Sequence, residues 1–230
     1  MRYILNESTE PRFNIAFDNW CLEHLRCPET VFCLWRNAPA VIIGRNQNPD
    51  SEVNLKFLKD NNIALIRRST GGGAVYHDLN NLNYSIYRPL KGGPDVVEDE
   101  FHDPAVELIA KALRSMGVQA EIGGRNDIFA GGKKISGFAK RIWQDRVLVH
   151  GTLMFDVDID TLTRALDVPG SKLHGKGVAS VRSRVTNIKD LLNPPLESIE
   201  EFAAALHEIL SEGDGEVMLS EEQRAQISCL

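Results

Sequence analysis

Apolar residues near the start of the chain recur at helical spacing. Phe17, Trp20, Cys21 and Leu25 follow an i, i+3, i+4, i+8 pattern, and Asn14 stands where a side-chain oxygen caps a helix start. The pattern then shortens. "TVFCLWR" and "AVIIGR" are compact runs rich in β-branched and aromatic residues, which predict strands. Helical spacing returns in "EVNLKFLKDNN" through Leu55 and Leu58, and ends on Asp-Asn-Asn. "IALIRRS" (63–69) predicts another strand, so three consecutive glycines, 71–73, begin where that strand ends.

The second half carries the clearest helix. In "DPAVELIAKALRSMG", Asp103 is the cap, Pro104 opens the first turn, Val106, Ile109, Ala110 and Leu113 form the apolar stripe, and Gly117 is the stop. Gly131-Gly132 in "NDIFAGGKKISGFAK" predicts a tight hairpin, and "DRVLVHGTLMFDVD" a long strand. Ser198 and Glu201 predict a capping box for a helix with Phe202, Ala205, Leu206 and Ile209 on its buried face. The Gly-Gly-Pro stretch at 92–94 predicts a loop. Strands joined as hairpins and strands separated by helices together predict an α/β (α+β) fold: a mixed, largely antiparallel sheet with packed helices.

Composition narrows the class. The 230 residues are 43% hydrophobic and 25% charged, enough for one substantial core. A net charge of −6 argues against general affinity for duplex nucleic acid. No apolar run reaches the roughly 20 residues that span a bilayer, and the N-terminus lacks a signal-peptide pattern. The expectation is a soluble, cytoplasmic protein with no membrane and no nucleic-acid partner. Cysteines 21, 27, 33 and 229 lack metal spacing and predict reduced thiols, with a nucleophilic cysteine left open.

Candidate chemistry begins with "RRSTGGGAVYHD" (67–78). Gly71, Gly72 and Gly73 have no Cβ, so a ligand can lie against their backbone N–H groups. Arg67 and Arg68 add positive charge suited to phosphate. The stretch matches neither the phosphate loop nor the dinucleotide turn. A solvated tight turn is the bland alternative, and the composite of glycines and arginines outweighs it. In "GRNDIFAGGKKISGFAKR" (124–141), alternation puts Lys134, Ser136 and Phe138 on one face and Lys133 on the other. "HGTLMFDVD" (150–158) is a strand, and "KGVASVRSRVTNI" (176–188) interleaves Lys176, Arg182 and Arg184 with Ser and Val. His77 and Asp78 have no serine or cysteine placed as a nucleophile beside them.

Together these segments, with "PRFNIAFDNW" and "VIIGRNQNPDSEVN", occur in the order seen in lipoate–protein ligases, which the chain resembles over roughly positions 11–193. The resemblance implies the biotin/lipoate protein ligase catalytic-domain fold, shared with octanoyl and lipoyl transferases. It implies a two-step reaction: lipoate and ATP give lipoyl-AMP and pyrophosphate, and an acceptor lysine then takes the lipoyl group. Lys134 matches the family's central catalytic lysine. Arg68, Ser69, Gly71, Gly72, Gly73, Val75, His77, Asn126, Asp127 and Gly151 match ATP or lipoyl-AMP positions. Asp127 would orient the adenylate or its Mg2+, and Trp35 either flanks the acyl slot or belongs to the core. Implied acceptors are lipoyl domains of 2-oxoacid dehydrogenase acyltransferase subunits, glycine cleavage H protein or similar carriers.

Family ligases often continue past an "LSEEQ"-like segment into a small accessory domain. The expectation here is one catalytic domain over 1–230, with that accessory part absent and supplied as a separate small protein. Two alternatives stay open. One is a lipoyl or octanoyl transferase using a preactivated donor, for which a thioester cysteine near the pocket, such as Cys33, is the sign. The other is a non-catalytic carrier-binding protein, which the intact Lys134 and glycines argue against.

Overall fold

The computed structural model describes residues 1–90, 103–167, 184–211 and 215–229. The 92–94 loop, Lys176 and Arg182 lie outside them.

The first helix, α1 (Pro11–His24), begins earlier than Asn14. Glu10 caps it, its carboxylate accepting from Arg12 N at 3.1 Å and Phe13 N at 2.5 Å, and Pro11 fits the first turn because it has no N–H to satisfy. Asn14 instead lies inside the helix, buried. Its Nδ2 donates to Ser8 O, Arg36 O and Asn37 Oδ1, and its Oδ1 accepts from Asn6 Nδ2. An amide with partners on two other segments is a tie between loops, and spacing alone does not distinguish it from a cap.

The described residues form ten strands; six follow the predicted runs, and those at Arg2–Tyr3, Val75–His77, Asn81–Pro89 and Ala120–Gly123 have no predicted counterpart. They are β1 (Arg2–Tyr3), β2 (Val31–Trp35), β3 (Ala40–Ile43), β4 (Ala64–Arg67), β5 (Val75–His77), β6 (Asn81–Pro89), β7 (Ala120–Gly123), β8 (Asp127–Ala130), β9 (Lys133–Trp143) and β10 (Arg146–Met154). One sheet has the order β1-β2-β6-β10-β9-β8-β7, the other β4-β3-β5. Among the strands of the described residues only β1/β2 and β3/β4 pair in parallel, so the sheets are mixed and largely antiparallel as expected. Gly131 and Gly132 turn the β8–β9 hairpin with φ of +56° and +74°, a backbone that glycine adopts without steric cost.

Helices cover both faces of the larger sheet. α2 (Pro49–Glu52) and α3 (Leu55–Asp60) lie between β3 and β4 in sequence, and α4 (Pro104–Ser115) has the predicted Asp103 cap. α5 is Ile159–Ala165, α6 Ile199–Ser211 and α7 Glu221–Ser228. α4 and α6 bury Val106, Ile109, Leu113, Phe202 and Leu206 against Phe32, Leu82, Tyr84 and Ile86. α6 turns slightly from the predicted stripe, with Leu210 buried and Ile209 exposed. Its predicted box is half formed: Ser198 Oγ accepts from Glu201 N, but the Glu201 carboxylate accepts from Glu197 N. On the opposite face, α1 packs Phe17, Trp20 and Leu22 near Cys33, Tyr87 and Leu148. The small sheet joins that side and leaves a cavity against the larger one.

Candidate active site

β6 and β10 build the cavity floor. Their register pairs Trp35 with Asn83, Asn83 with Thr152, and Ser85 with His150. Alternation therefore sends Trp35, Asn83, Thr152 and His150 to one face. About 550 Å³ of empty space, part of it open to solvent, lies above them. Ile15, Trp35, Ile42, Ala74, Val75 and Phe138 form its apolar wall; Arg68, His77, Asn83, Asn126, Lys134 and His150 supply polar groups.

Lys134 reaches the cavity by a route that strict alternation misses. Ile128 pairs with Ser136 but Phe129 with Lys134, which leaves Ile135 as an extra residue. This β-bulge shifts the side-chain phase. Ser136 and Ile135 are both buried and line no part of the cavity, whereas Lys134 joins Gly137, Ala139 and the expected Phe138 in its wall. The expectation that Lys134 and Ser136 share a cavity face is thereby corrected, while Lys133 is exposed as expected. Lys134 Nζ forms an ion pair with Asp127 Oδ1 at 2.7 Å. A Cβ on Gly137 would stand 2.7 Å from that nitrogen, so the bare backbone there is what lets the ammonium lie down.

The glycine loop is shaped from below. Arg68 is 7% exposed, and its guanidinium donates to Thr70 Oγ1, Ile42 O, Gly71 O and Gly73 O at 2.7–3.2 Å. Burial lowers its pKa to about 10, and no carboxylate pairs with it among the described residues. A buried cation held only by dipoles favours an anion nearby. Gly72 has φ +91°, and a Cβ there would meet Arg68 Nη2 at 2.9 Å. A Cβ on Gly71 or Gly73 would meet nothing within 4 Å. Gly44 passes beneath so closely that a Cβ would fall 2.2 Å from Gly72 O. Arg67 turns outward and donates to the carbonyls of Gly44, Arg45 and Gln47.

Two histidines face the cavity. Asn37 Nδ2 lies 3.0 Å from His77 Nδ1, and Asn37 Oδ1 accepts from Asn14, so the amide is oriented to donate to the ring. His77 therefore carries its proton on Nε2. Burial first, then the charges of Arg68 and His150, lowers its pKa to about 3. His150 lies between Asp18 Oδ2 at 2.5 Å and Thr70 Oγ1 at 2.8 Å, and Asp18 Oδ1 accepts from Tyr87 OH at 2.6 Å.

Of the residues singled out in the sequence, Arg68, Gly73, Val75, His77, Asn126, Lys134, Gly151 and Trp35 meet at this cavity. Asp127 joins them through Lys134. Gly151 lines the cavity with backbone, and its missing side chain leaves room for Tyr84, whose OH lies 2.5 Å from a Cβ position. Ser69 stands outside, hydrogen-bonded to Asn19 in an adjoining groove, and Gly71 and Gly72 border the loop without lining the cavity. The sequence reading missed Asn37, Gly44, Thr70, Asn83, Gly137 and His150. None of the four cysteines lines the cavity, and burial raises the Cys21 and Cys33 thiols well above their ordinary values. Among the described residues no cluster of three or more metal-ligating side chains occurs, and no helix is long and apolar enough to cross a membrane.

Comparison with known proteins gives the same picture. The family model of the lipoyl protein ligase A/B catalytic domain matches residues 10–211. "Lipoate-protein ligase LplJ" of Bacillus subtilis is 42% identical over 209 residues, covering 90% of this chain and 61% of that protein. The chain thus spans about three fifths of the curated relatives it matches. A bi-partite lipoate protein ligase from Thermoplasma acidophilum, described with its E2 lipoyl domain, superposes with a TM-score of 0.85 at 32% identity, covering 100% of this chain and 91% of that one. A lipoate-protein ligase A bound with ATP superposes at 0.77 with 29% identity, covering 100% and 93%. With the family model matching most of its length and a relative 42% identical over 90% of it, this chain belongs to the lipoyl protein ligase A/B catalytic domain family.

Proposed function

We propose that these 230 residues supply the catalytic part of an ATP-dependent, AMP-forming lipoate–protein ligase. One observation carries the reading: a single cavity joins the Lys134 ammonium and the Gly73 backbone to an apolar wall that reaches Trp35. In the first step a lipoate carboxylate oxygen attacks the α-phosphorus of ATP and pyrophosphate leaves. In the second an acceptor lysine amine attacks the acyl carbon of lipoyl-AMP, and AMP leaves as the amide forms. Both steps gather negative charge on oxygen, and a fixed cation aimed at that charge is a large catalytic contribution. Lys134 is that cation, and Asp127 holds it in place beforehand. The glycine loop, tied down by Arg68, receives the phosphate, and Ile15, Ile42, Val75 and Trp35 receive the acyl chain.

Mg2+ in nucleotide sites is usually held by one or two carboxylates plus substrate phosphates. Asp127 is a carboxylate suited to that role, and the metal would offset phosphate charge. The acceptor is a lipoyl domain, of the 2-oxoacid dehydrogenase acyltransferase, glycine cleavage H protein or a similar carrier, in the cytoplasm where ATP is abundant. The solved relative described with an E2 lipoyl domain supports this, and its bi-partite make-up supports activation with the help of a separate small accessory protein. A transferase using an acyl-thioester cysteine is disfavoured because no cysteine lines the cavity.

The test is pyrophosphate release from ATP and lipoate, with and without such an accessory protein. Slow release by the 230 residues alone and fast release with the added protein is the expected result. Release that stays absent under both conditions overturns the ligase reading, and fast release by the chain alone removes the need for a partner.

A further inference from the structure

A chain of buried side chains runs from α1 to the glycine loop through Asp18, His150, Thr70 and Arg68. Asp18 belongs to α1 and His150 to β10 of the larger sheet, while Thr70 stands at the base of the loop between β4 and β5 of the smaller one. The chain therefore joins all three parts of the fold that enclose the cavity. His150 and Arg68 line that cavity; Asp18 and Thr70 do not.

The donors run in one direction. Tyr87 OH donates to Asp18 Oδ1 at 2.6 Å, and Asp18 Oδ2 stands 2.5 Å from His150 Nδ1. A carboxylate only accepts, so the imidazole proton sits on Nδ1 and Nε2 is left as an acceptor. Thr70 Oγ1, 2.8 Å from Nε2, gives it the hydroxyl hydrogen. The Thr70 oxygen then turns its lone pairs to Arg68 Nε, which donates to it at 2.9 Å. Arg68 Nη2 in turn holds Gly71 O at 2.7 Å and Gly73 O at 2.8 Å. Both carbonyls are taken up by the arginine, while the N–H groups of Gly71, Gly72 and Gly73 have no hydrogen-bond acceptor among the described residues. Free N–H groups on such a turn form a seat for an anion. Their aim depends on where the carbonyls are held.

We propose that Asp18 and Thr70 are positioning residues for the phosphate of the bound adenylate: through His150 and Arg68 they fix the carbonyls of the glycine loop and so aim its N–H groups. This rests on the ligase reading, in which the loop receives the phosphate. A residue that supports a binding group from behind acts on the part of the ligand which that group holds. Asp18 and Thr70 therefore affect an acyl-adenylate and leave the acyl chain by itself alone.

The experiment measures equilibrium binding of lipoyl-AMP and, separately, of lipoate, with thermal unfolding as the check on folding. Thr70→Val keeps the branched shape and deletes the hydroxyl. It is expected to weaken lipoyl-AMP by about 10-fold, as loss of one hydrogen bond to a charged group does, with lipoate affinity unchanged. Thr70→Ser, which keeps the hydroxyl, is expected to bind as the wild type does. Asp18→Leu removes the acceptor that fixes the imidazole proton and is expected to resemble Thr70→Val. Combining the two should cost no more than the larger single loss, because both break one chain. Thr70→Val and Thr70→Ser decide the question by themselves, whatever the stability of Asp18→Leu. A folded Thr70→Val protein with wild-type affinity for lipoyl-AMP overturns the proposal, as do an equal loss for lipoate, a Thr70→Ser as weak as Thr70→Val, or losses that multiply in the double variant. A wild-type protein that binds neither ligand overturns the ligase reading, and the positioning role with it.

Discussion

At the scale of single residues, the account depends on where one ammonium lies. Lys134→Ala is expected to lower both adenylate formation and transfer by about 10²–10³-fold, measured as pyrophosphate release and acceptor lipoylation. Lys134→Arg is not expected to rescue, because a planar fork does not replace a compact ammonium in the space over Gly137. Lys133→Ala, exposed at the hairpin turn, is expected to be silent; equal losses at the two lysines would contradict the bulge assignment. Gly137→Ala tests the same geometry from the other side. Its Cβ would collide with the mobile end of Lys134, so stability should hold while activity falls. His77 offers a pH signature. Its folded pKa of about 3 lies below the ordinary 6.5, so the unfolded chain takes up the proton first as pH falls. Its share of stability is therefore complete above pH 6.5 and lost between 6.5 and 3, by up to about 1.4 kcal/mol per pH unit. Urea unfolding at pH 7 and pH 5 should show a larger loss for the wild type than for His77→Gln, and parallel losses would count against the buried neutral imidazole.

At the scale of elements, the glycine loop is held between Gly44 below and Arg68 at its core. Gly44→Ala places a Cβ against a backbone carbonyl that cannot rotate away, which predicts destabilisation of about 1–3 kcal/mol together with weaker adenylate binding. Thermal unfolding and equilibrium dialysis measure the two effects, and an unchanged protein would mean the loop is not held there. Gly44 was not legible in the sequence, because its constraint is a contact with a loop 28 residues away rather than a local pattern. Elements with strong local signals were legible: α4 with its Asp103 cap and Gly117 stop, the β8–β9 turn, and the long strand β10, whereas the equally long β6 had no predicted counterpart. Asn14 misled because a buried tie and a cap use the same residue type. The bulge at Ile135 was invisible because it exists only in the pairing with β8. The cavity polar set divides the same way. Motif residues such as Lys134 and the glycines stand out in sequence, while Asn37, Asn83 and Thr70 acquire meaning only from partners that folding brings together.

At the scale of the whole molecule, two sheets and α1 enclose one cavity whose polar and apolar parts suit an acyl-adenylate. Activation asks more of the protein than transfer does, since ATP must be held in line and water excluded while the carboxylate attacks. Transfer asks only for the cavity, Lys134 and access for the incoming amine. The most direct measurement is the mass of a lipoyl-domain acceptor incubated with synthetic lipoyl-AMP and the 230-residue protein, beside Lys134→Ala and a protein-free control. The account predicts gain of one lipoyl group on one lysine with the wild type, and no more than the spontaneous background with Lys134→Ala. An acceptor left unmodified by the wild type, or modified equally by Lys134→Ala, would contradict it.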